Sequence, residues 1–194
     1  MSAVASVALG GTTLMVVRRT ADSLWAAADF GYAEASGVGT QSESKQRPRV
    51  LAIASGGGHW VQLLRLRPAW DSARVTYVSV RAAYASDVPG ERFMAINDAT
   101  RWDKVGLIKM ALKLLWIMLL VRPNVVISTG AAPGYFAIRL GRLLGAKTIW
   151  LDSIANVEEM SMTGMLVKDR ATLWLTQWPH LAGDGGPEYH GTVL

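Results

Sequence analysis

The sequence predicts an α/β protein built on a doubly wound, mostly parallel sheet. Three observations predict it. From residue 49 onward, short apolar or β-branched runs alternate with helical patterns. The clearest run, residues 50–54 (VLAIA), is continuously apolar, as a strand covered on both faces must be. Two of the runs lead through glycine-containing loops directly into helices, the order a parallel sheet requires.

The elements follow in order. Residues 50–54 read as a buried strand that ends in glycines, and 60–66 as the helix after it. Residues 74–80 (RVTYVSV) carry the β-branched residues of a second strand, and 93–96 form a weaker third. Residues 101–121 make a long helix stopped by Pro123, because the residue before a proline avoids the α region. Residues 125–128 (VVIS) are a strand, and 135–144 a helix ending near Gly145. Residues 148–151 and 173–176 supply two more strands, the second read as the last. Ahead of all this, residues 1–48 read as a poorly ordered extension. The polar Gly/Ser stretch 36–48 (SGVGTQSESKQRP) has the composition of a linker. One domain is therefore expected, over 49–194.

Composition narrows the class. The 194 residues are 51% hydrophobic and 18% charged, which suits one folded domain and excludes a wholly disordered chain. Cysteine is absent, so no disulfide scaffold and no thiolate metal site exist. Twenty Lys+Arg against 15 Asp+Glu leave a net charge of +5, an excess that suits a phosphate group or an acidic membrane surface. Eight Trp residues point to boundaries that are dry on one side and wet on the other.

Two apolar stretches bear on membrane contact. Residues 3–17 are broken by Gly10, Gly11, Thr12 and Thr13, and Arg18 and Arg19 follow rather than precede them. A span needs about 20 apolar residues and a secretory signal carries its charge first, so this stretch reads as an extension, with an anchor as the alternative. Residues 105–121 (VGLIKMALKLLWIMLLV) would reach roughly 25 Å as a helix, short of a ~30 Å hydrocarbon core. In one reading this helix is buried against the sheet. In the other its inner side packs on the sheet and its outer side rests on lipid, with Lys109 and Lys113 reaching back toward headgroups.

Ligands of such sheets bind outside the carboxyl ends of the strands. Three loops expected there are unusual. Ser55-Gly56-Gly57-Gly58-His59 follows the first strand; its glycines let a ligand approach the backbone, and the helix that follows points free N–H groups at a phosphate or diphosphate. Ser128-Thr129-Gly130-Ala131-Ala132-Pro133-Gly134 makes a second strand-to-helix passage, with Pro133 suited to a first helical turn. Asp152-Ser153-Ile154-Ala155-Asn156 offers a carboxylate and an amide at the same edge. Asp152 fits a substrate contact or a loop hydrogen bond equally well. His59 fits a general base at the crevice mouth or a polar cap of the helix. The dinucleotide fingerprint fails, because Val61 stands where its third glycine belongs and no acid closes the second strand. The phosphate-binding loop of nucleotide hydrolases fails too, because Gly141 is one residue too close to Gly145-Ala146-Lys147-Thr148. Three His, no Cys and no Asp-x-Asp pair leave no metal constellation.

Residues 55–66 (SGGGHWVQLLRL), 124–134, 150–164 (WLDSIANVEEMSMTG) and 175–181 (LTQWPHL), with Tyr189-His190-Gly191, resemble one known family. It is the membrane-associated subunit of two-component glycosyltransferases, which act on dolichol-diphosphate or undecaprenyl-diphosphate saccharides. The likeness runs in order over 49–194. Asp152-Ser153 departs from the family's usual Glu-Ser, keeping the charge on a shorter arm. The resemblance implies one half, the N-terminal type, of a two-Rossmann (GT-B) inverting glycosyltransferase. This chain would supply the acceptor side, and a second subunit would bind the UDP-sugar, UDP-N-acetylglucosamine or UDP-glucuronic acid. It implies His59 as the base and Ser55, Gly56, Gly57, Gly58, Thr129, Gly130, Gly134, Asp152, Ser153 and Asn156 around the acceptor and its phosphates. Gln177, Trp178 and Pro179 would meet the partner subunit, with a core role as the alternative for Trp178. No metal, cofactor or nucleic acid is implied. The expected place is the cytoplasmic face of the inner (plasma) membrane, held peripherally or by a weak anchor. Two other functions remain open: a non-catalytic scaffold recruiting the donor-binding subunit, and a stand-alone nucleotide-binding enzyme.

Overall fold

The computed structural model describes residues 47–193. The 3–17 stretch and nearly all of the 36–48 stretch lie outside the described residues. The elements are β1 (Arg49–Ile53), α1 (Gly58–Arg65), β2 (Arg74–Ser79), β3 (Arg92–Ala95), α2 (Lys104–Val121), β4 (Val125–Ser128), α3 (Ala131–Leu143), β5 (Lys147–Leu151), α4 (Met162–Val167), β6 (Leu173–Thr176) and β7 (Glu188–Tyr189). Short 3₁₀ turns cover Arg67–Trp70, Ala82–Asp87 and Pro179–Leu181.

The strands form one sheet in the order β3-β2-β1-β4-β5-β6-β7, and every pairing is parallel. The chain winds outward from β1 to β3, then crosses back through α2 to place β4 on the other side of β1. Val50 lies in register between Val75 and Val125, and Ile53 between Val78 and Ser128. The winding direction therefore reverses between β1 and β4. That reversal splays the connecting loops apart at the carboxyl edge and opens a crevice there.

Both faces of the sheet are covered, which is why its central strands carry no polar alternation. On one face, Leu51, Ile53, Val78 and Val126 pack against Met110, Leu114 and Ile117 of α2 and Ala137 of α3. The same layer continues through Trp150 and Trp174, which meet Ile138 of α3 and Val167 of α4. On the other face, Ala52, Tyr77 and Ile127 pack against Trp60 and Leu63 of α1, with Trp70 and Val193 closing the margin.

The expected strands occur within one residue of their positions. Helix starts moved more. α1 begins at Gly58 and α3 at Ala131, so each helix opens inside its glycine loop rather than after it. α2 starts at Lys104 because the Asp103 carboxylate accepts the Gly106 N–H at 2.8 Å and caps it. It ends where Arg122 takes a left-handed conformation (φ 49°), just before Pro123. The strand at 173–176 is not the last. β7 adds beside it through Leu175 and Thr176, but its two residues are exposed and leave no apolar signature. α4 was likewise illegible, being only six residues long.

Candidate active site

The β1 and β4 loops meet across the switch point and are tied together directly. The His59 Nδ1 lies 2.6 Å from the Thr129 carbonyl, and the Thr129 hydroxyl donates to the His59 carbonyl at 2.6 Å. A carbonyl only accepts, so Nδ1 carries the proton in the neutral ring and the lone pair is left on Nε2. His59 is half-buried, whereas Ser128, Thr129 and Gly130 are fully buried. The imidazole is thus held by backbone at one nitrogen and available at the other.

Two glycines are required by this arrangement. A Cβ on Gly130 would fall 2.5 Å from the His59 Cε1 and 2.6 Å from its Nδ1, and the residue sits at φ 131°. A Cβ on Gly134 would fall 2.0 Å from the Ser128 Oγ, which itself accepts the Gly130 N–H at 3.2 Å. The α3 start can approach β4 only because both side chains are missing. Ala131 follows with φ 64°, a conformation that costs a non-glycine residue of order 1 kcal/mol. Backbone strain is thereby concentrated at this loop.

On the other wall, Gly57 adopts φ 63° and its carbonyl accepts from the Trp60 and Val61 N–H groups, starting α1. The Gly58 and His59 N–H groups belong to the first turn, where no intrahelical acceptor exists. Gly57 and Gly58 are exposed, and neither would place a Cβ within 4 Å of anything. The space in front of them is open. Ser55 donates structure rather than chemistry, its carbonyl accepting the Ser79 hydroxyl at 2.9 Å. Two residues outside the expected set also stand here. The Tyr84 hydroxyl accepts the Gly57 N–H at 2.9 Å, and the Arg81 Nε lies 3.4 Å from the Cβ position of Gly56. Arg81 had a signal in the sequence, as the first residue after a β-branched run at a carboxyl edge. Tyr84 had none.

The β5 and β6 loops are organised differently. Asp152, expected as either a ligand contact or a loop anchor, is 2% exposed. Its carboxylate accepts the Ser161 N–H and hydroxyl, each at 2.6 Å, and the Trp150 indole at 3.3 Å. It is a loop anchor that positions Ser161, the N-cap of α4. Gln177, expected at a partner surface, is fully buried. Its amide donates to the Asp152 carbonyl at 2.8 Å and accepts the Val193 N–H at 2.9 Å. Both residues are corrected to internal roles, because every strong hydrogen-bonding atom they own faces protein. Trp178 is half-buried and its indole donates to the Ile154 carbonyl at 2.9 Å; Pro179 is exposed. Ser153 and Asn156 are half-buried on the same turn, joined by the Asn156 N–H to the Ser153 carbonyl at 3.0 Å.

Two open concavities, of about 460 Å³ and about 600 Å³, lie at the opposite edge of the sheet and share Arg49 and Arg122. They are lined by strand starts and helix ends. Among the described residues no group of three His, Asp or Glu could hold a metal ion.

This geometry, one parallel sheet with a basic nitrogen and open amides at its switch point, recurs among known proteins. The chain is related to ALG14 subunits. It is 24% identical to the UDP-N-acetylglucosamine transferase subunit ALG14 of Yarrowia lipolytica over 76% of this chain and 82% of that protein. It is 26% identical to ALG14 of Eremothecium gossypii over 90% of each. Among solved structures the fold matches MurG of Acinetobacter baumannii at a TM-score of 0.59 and 13% identity, over 73% of this chain. It also matches a UDP-GlcNAc 2-epimerase of Methanocaldococcus jannaschii at 0.51 and 11%. It spans 45% and 39% of those two proteins, less than half of each. The fold is therefore that of a Rossmann-like domain of GT-B glycosyltransferases. No family model matches the chain.

Proposed function

We propose that this chain, like the ALG14 subunits it resembles, is a subunit of a UDP-sugar-dependent glycosyltransferase and forms the acceptor wall of its active site. The observation that carries the reading is the His59 tautomer. With Nδ1–H held on the Thr129 carbonyl, Nε2 is presented as a base at the switch point, beside the unpaired amides of the α1 start.

In this reading the diphosphate of a lipid-linked saccharide lies on the Gly56–Gly57–Gly58 backbone, with the Arg81 guanidinium as counter-charge. A hydroxyl of the acceptor sugar gives its proton to His59 Nε2 as its oxygen attacks the anomeric carbon of the donor. The glycosidic bond forms as the bond to the uridine diphosphate breaks, on the opposite face, so configuration inverts. The donor, UDP-N-acetylglucosamine by the name of the relatives, is held by a second subunit, which meets this one near Trp178 and Pro179. Gly130 and Gly134 keep the imidazole in place.

The test is reconstitution of sugar transfer to a lipid-diphosphate saccharide with and without a donor-binding subunit. Transfer is expected only from the pair. Turnover by this chain alone contradicts the shared site. Full turnover by a His59→Ala pair removes His59 as base and leaves a scaffold that recruits the donor-binding subunit.

A further inference from the structure

The long helix α2 satisfies its tertiary contacts with half of its surface. At about 100° per residue, Gly106, Met110, Leu114, Ile117, Met118 and Val121 fall on one side and are buried. The opposite side is also apolar. Val105, Ile108, Leu112, Trp116, Leu119 and Leu120 are 49–62% exposed and span an arc of roughly 120°. A solvated helix face is normally polar, so this arc is built for something other than water.

Its charge pattern says what. Lys109 and Lys113 border the arc on one side and Lys104 on the other, all exposed. Neither α2 nor the two helices beside it, α3 and α4, contains a single Asp or Glu. Among the described residues, no ion pair engages any of these lysines. Just ahead of the helix, Trp102 is 80% exposed with the Arg101 guanidinium 4.7 Å over its ring. An apolar stripe with tryptophans and flanking cations is complementary to a surface that is anionic above and hydrocarbon below. No helix among the described residues is long and apolar enough to cross a membrane.

We propose that α2 lies in the plane of an anionic bilayer, its outer face a few ångströms deep and Lys104, Lys109 and Lys113 at lipid phosphates. The orientation has a consequence. β3 ends at the carboxyl edge of the sheet, so α2 starts at that edge and runs back over β1, β2 and β4. Its amino end and the Gly56–His59 loop therefore share one edge. With α2 on the bilayer, the crevice opens beside the lipid surface, where a lipid-linked diphosphate is presented. This consequence rests on the proposed acceptor role; the docking itself does not.

The absence of cysteine allows a clean test on the full chain. Leu112→Cys and, on the far face, the exposed Asp71→Cys each carry an environment-sensitive dye. Vesicles are phosphatidylcholine with or without phosphatidylglycerol. The Leu112 dye is expected to shift to an apolar signal only with phosphatidylglycerol, and the Asp71 dye not at all. Lys109→Gln with Lys113→Gln should weaken vesicle partitioning by about 30-fold at low salt. A Leu112 dye already apolar without vesicles assigns the face to protein and overturns the proposal. So does vesicle binding that leaves that dye unchanged or ignores the lysine substitutions. Transfer assays with the donor-binding subunit separate the two readings. If docking holds, the lysine variant loses transfer to vesicle-borne acceptor but keeps it with a short-chain soluble acceptor. No transfer to either acceptor by the unmodified pair defeats the acceptor role while leaving the dye result intact.

Discussion

The loops after β1 and β4 differ from those after β5 and β6 in what they leave unused. The second pair carries the richer set of side chains: Asp152, Ser161, Gln177 and Trp178. Every one of them is spent on the protein itself, the Asp152 carboxylate on three donors and the Gln177 amide on two backbone groups. The first pair is mostly glycine, yet it leaves an imidazole nitrogen and helix-start amides without protein partners. Residue type therefore says less about function than saturation does. A saturated polar cluster at this edge is a buttress, and an unsaturated one is where a ligand completes the bonding.

Substitutions can break this contrast or sharpen it. The largest effect belongs to His59→Ala, which is expected to lower kcat of the reconstituted enzyme by about 10²–10⁴-fold with little change in melting temperature. Loss of both in proportion would make His59 a buttress too. Asp152→Ala should do the reverse. It strands the Ser161 N–H and the Trp150 indole in a buried site and costs about 3 kcal/mol in denaturant unfolding, while the folded fraction keeps its specific activity. A selective loss of activity there would move Asp152 into the site.

Gly130→Ala tests the junction of the two walls. The new Cβ meets the His59 ring at a backbone angle that L residues avoid, so about 2–3 kcal/mol of stability should be lost and turnover should fall with it. An unchanged melting curve would show that the ring can move aside. The smallest effect is expected from Tyr84→Phe. It frees the Gly57 N–H at an exposed site, costing about 1 kcal/mol or less, and should raise the acceptor KM a few-fold without changing kcat.

Most of the fold was legible because hydrophobic runs report burial directly. VLAIA, VVIS and residues 148–151 are apolar since both faces of a central parallel strand are covered. What escaped was short or peripheral: α4 has under two turns, and β7 pairs through two exposed residues. At the site, the glycine run announced itself because three consecutive glycines exceed the needs of a turn. The Asp152 ambiguity was real in one dimension, because the donors that claim its carboxylate arrive from Trp150 and from Ser161, nine residues downstream. Arg81 and Tyr84 reach the crevice from another strand's loop, a proximity no local pattern encodes.

By itself the sequence determined the class of sheet, its glycine loops and the unusual apolarity of residues 105–121, because periodicity and backbone freedom are local properties of the chain. Tertiary structure alone decided which of the polar groups were consumed. The His59 tautomer exists only because the Thr129 carbonyl, seventy residues away in the chain, stands 2.6 Å from Nδ1. The two-sided nature of α2 likewise becomes visible only when the sheet covers one side and leaves the other bare. Hydrogen bonds and burial are pairwise facts, and the second member of each pair is supplied by the fold.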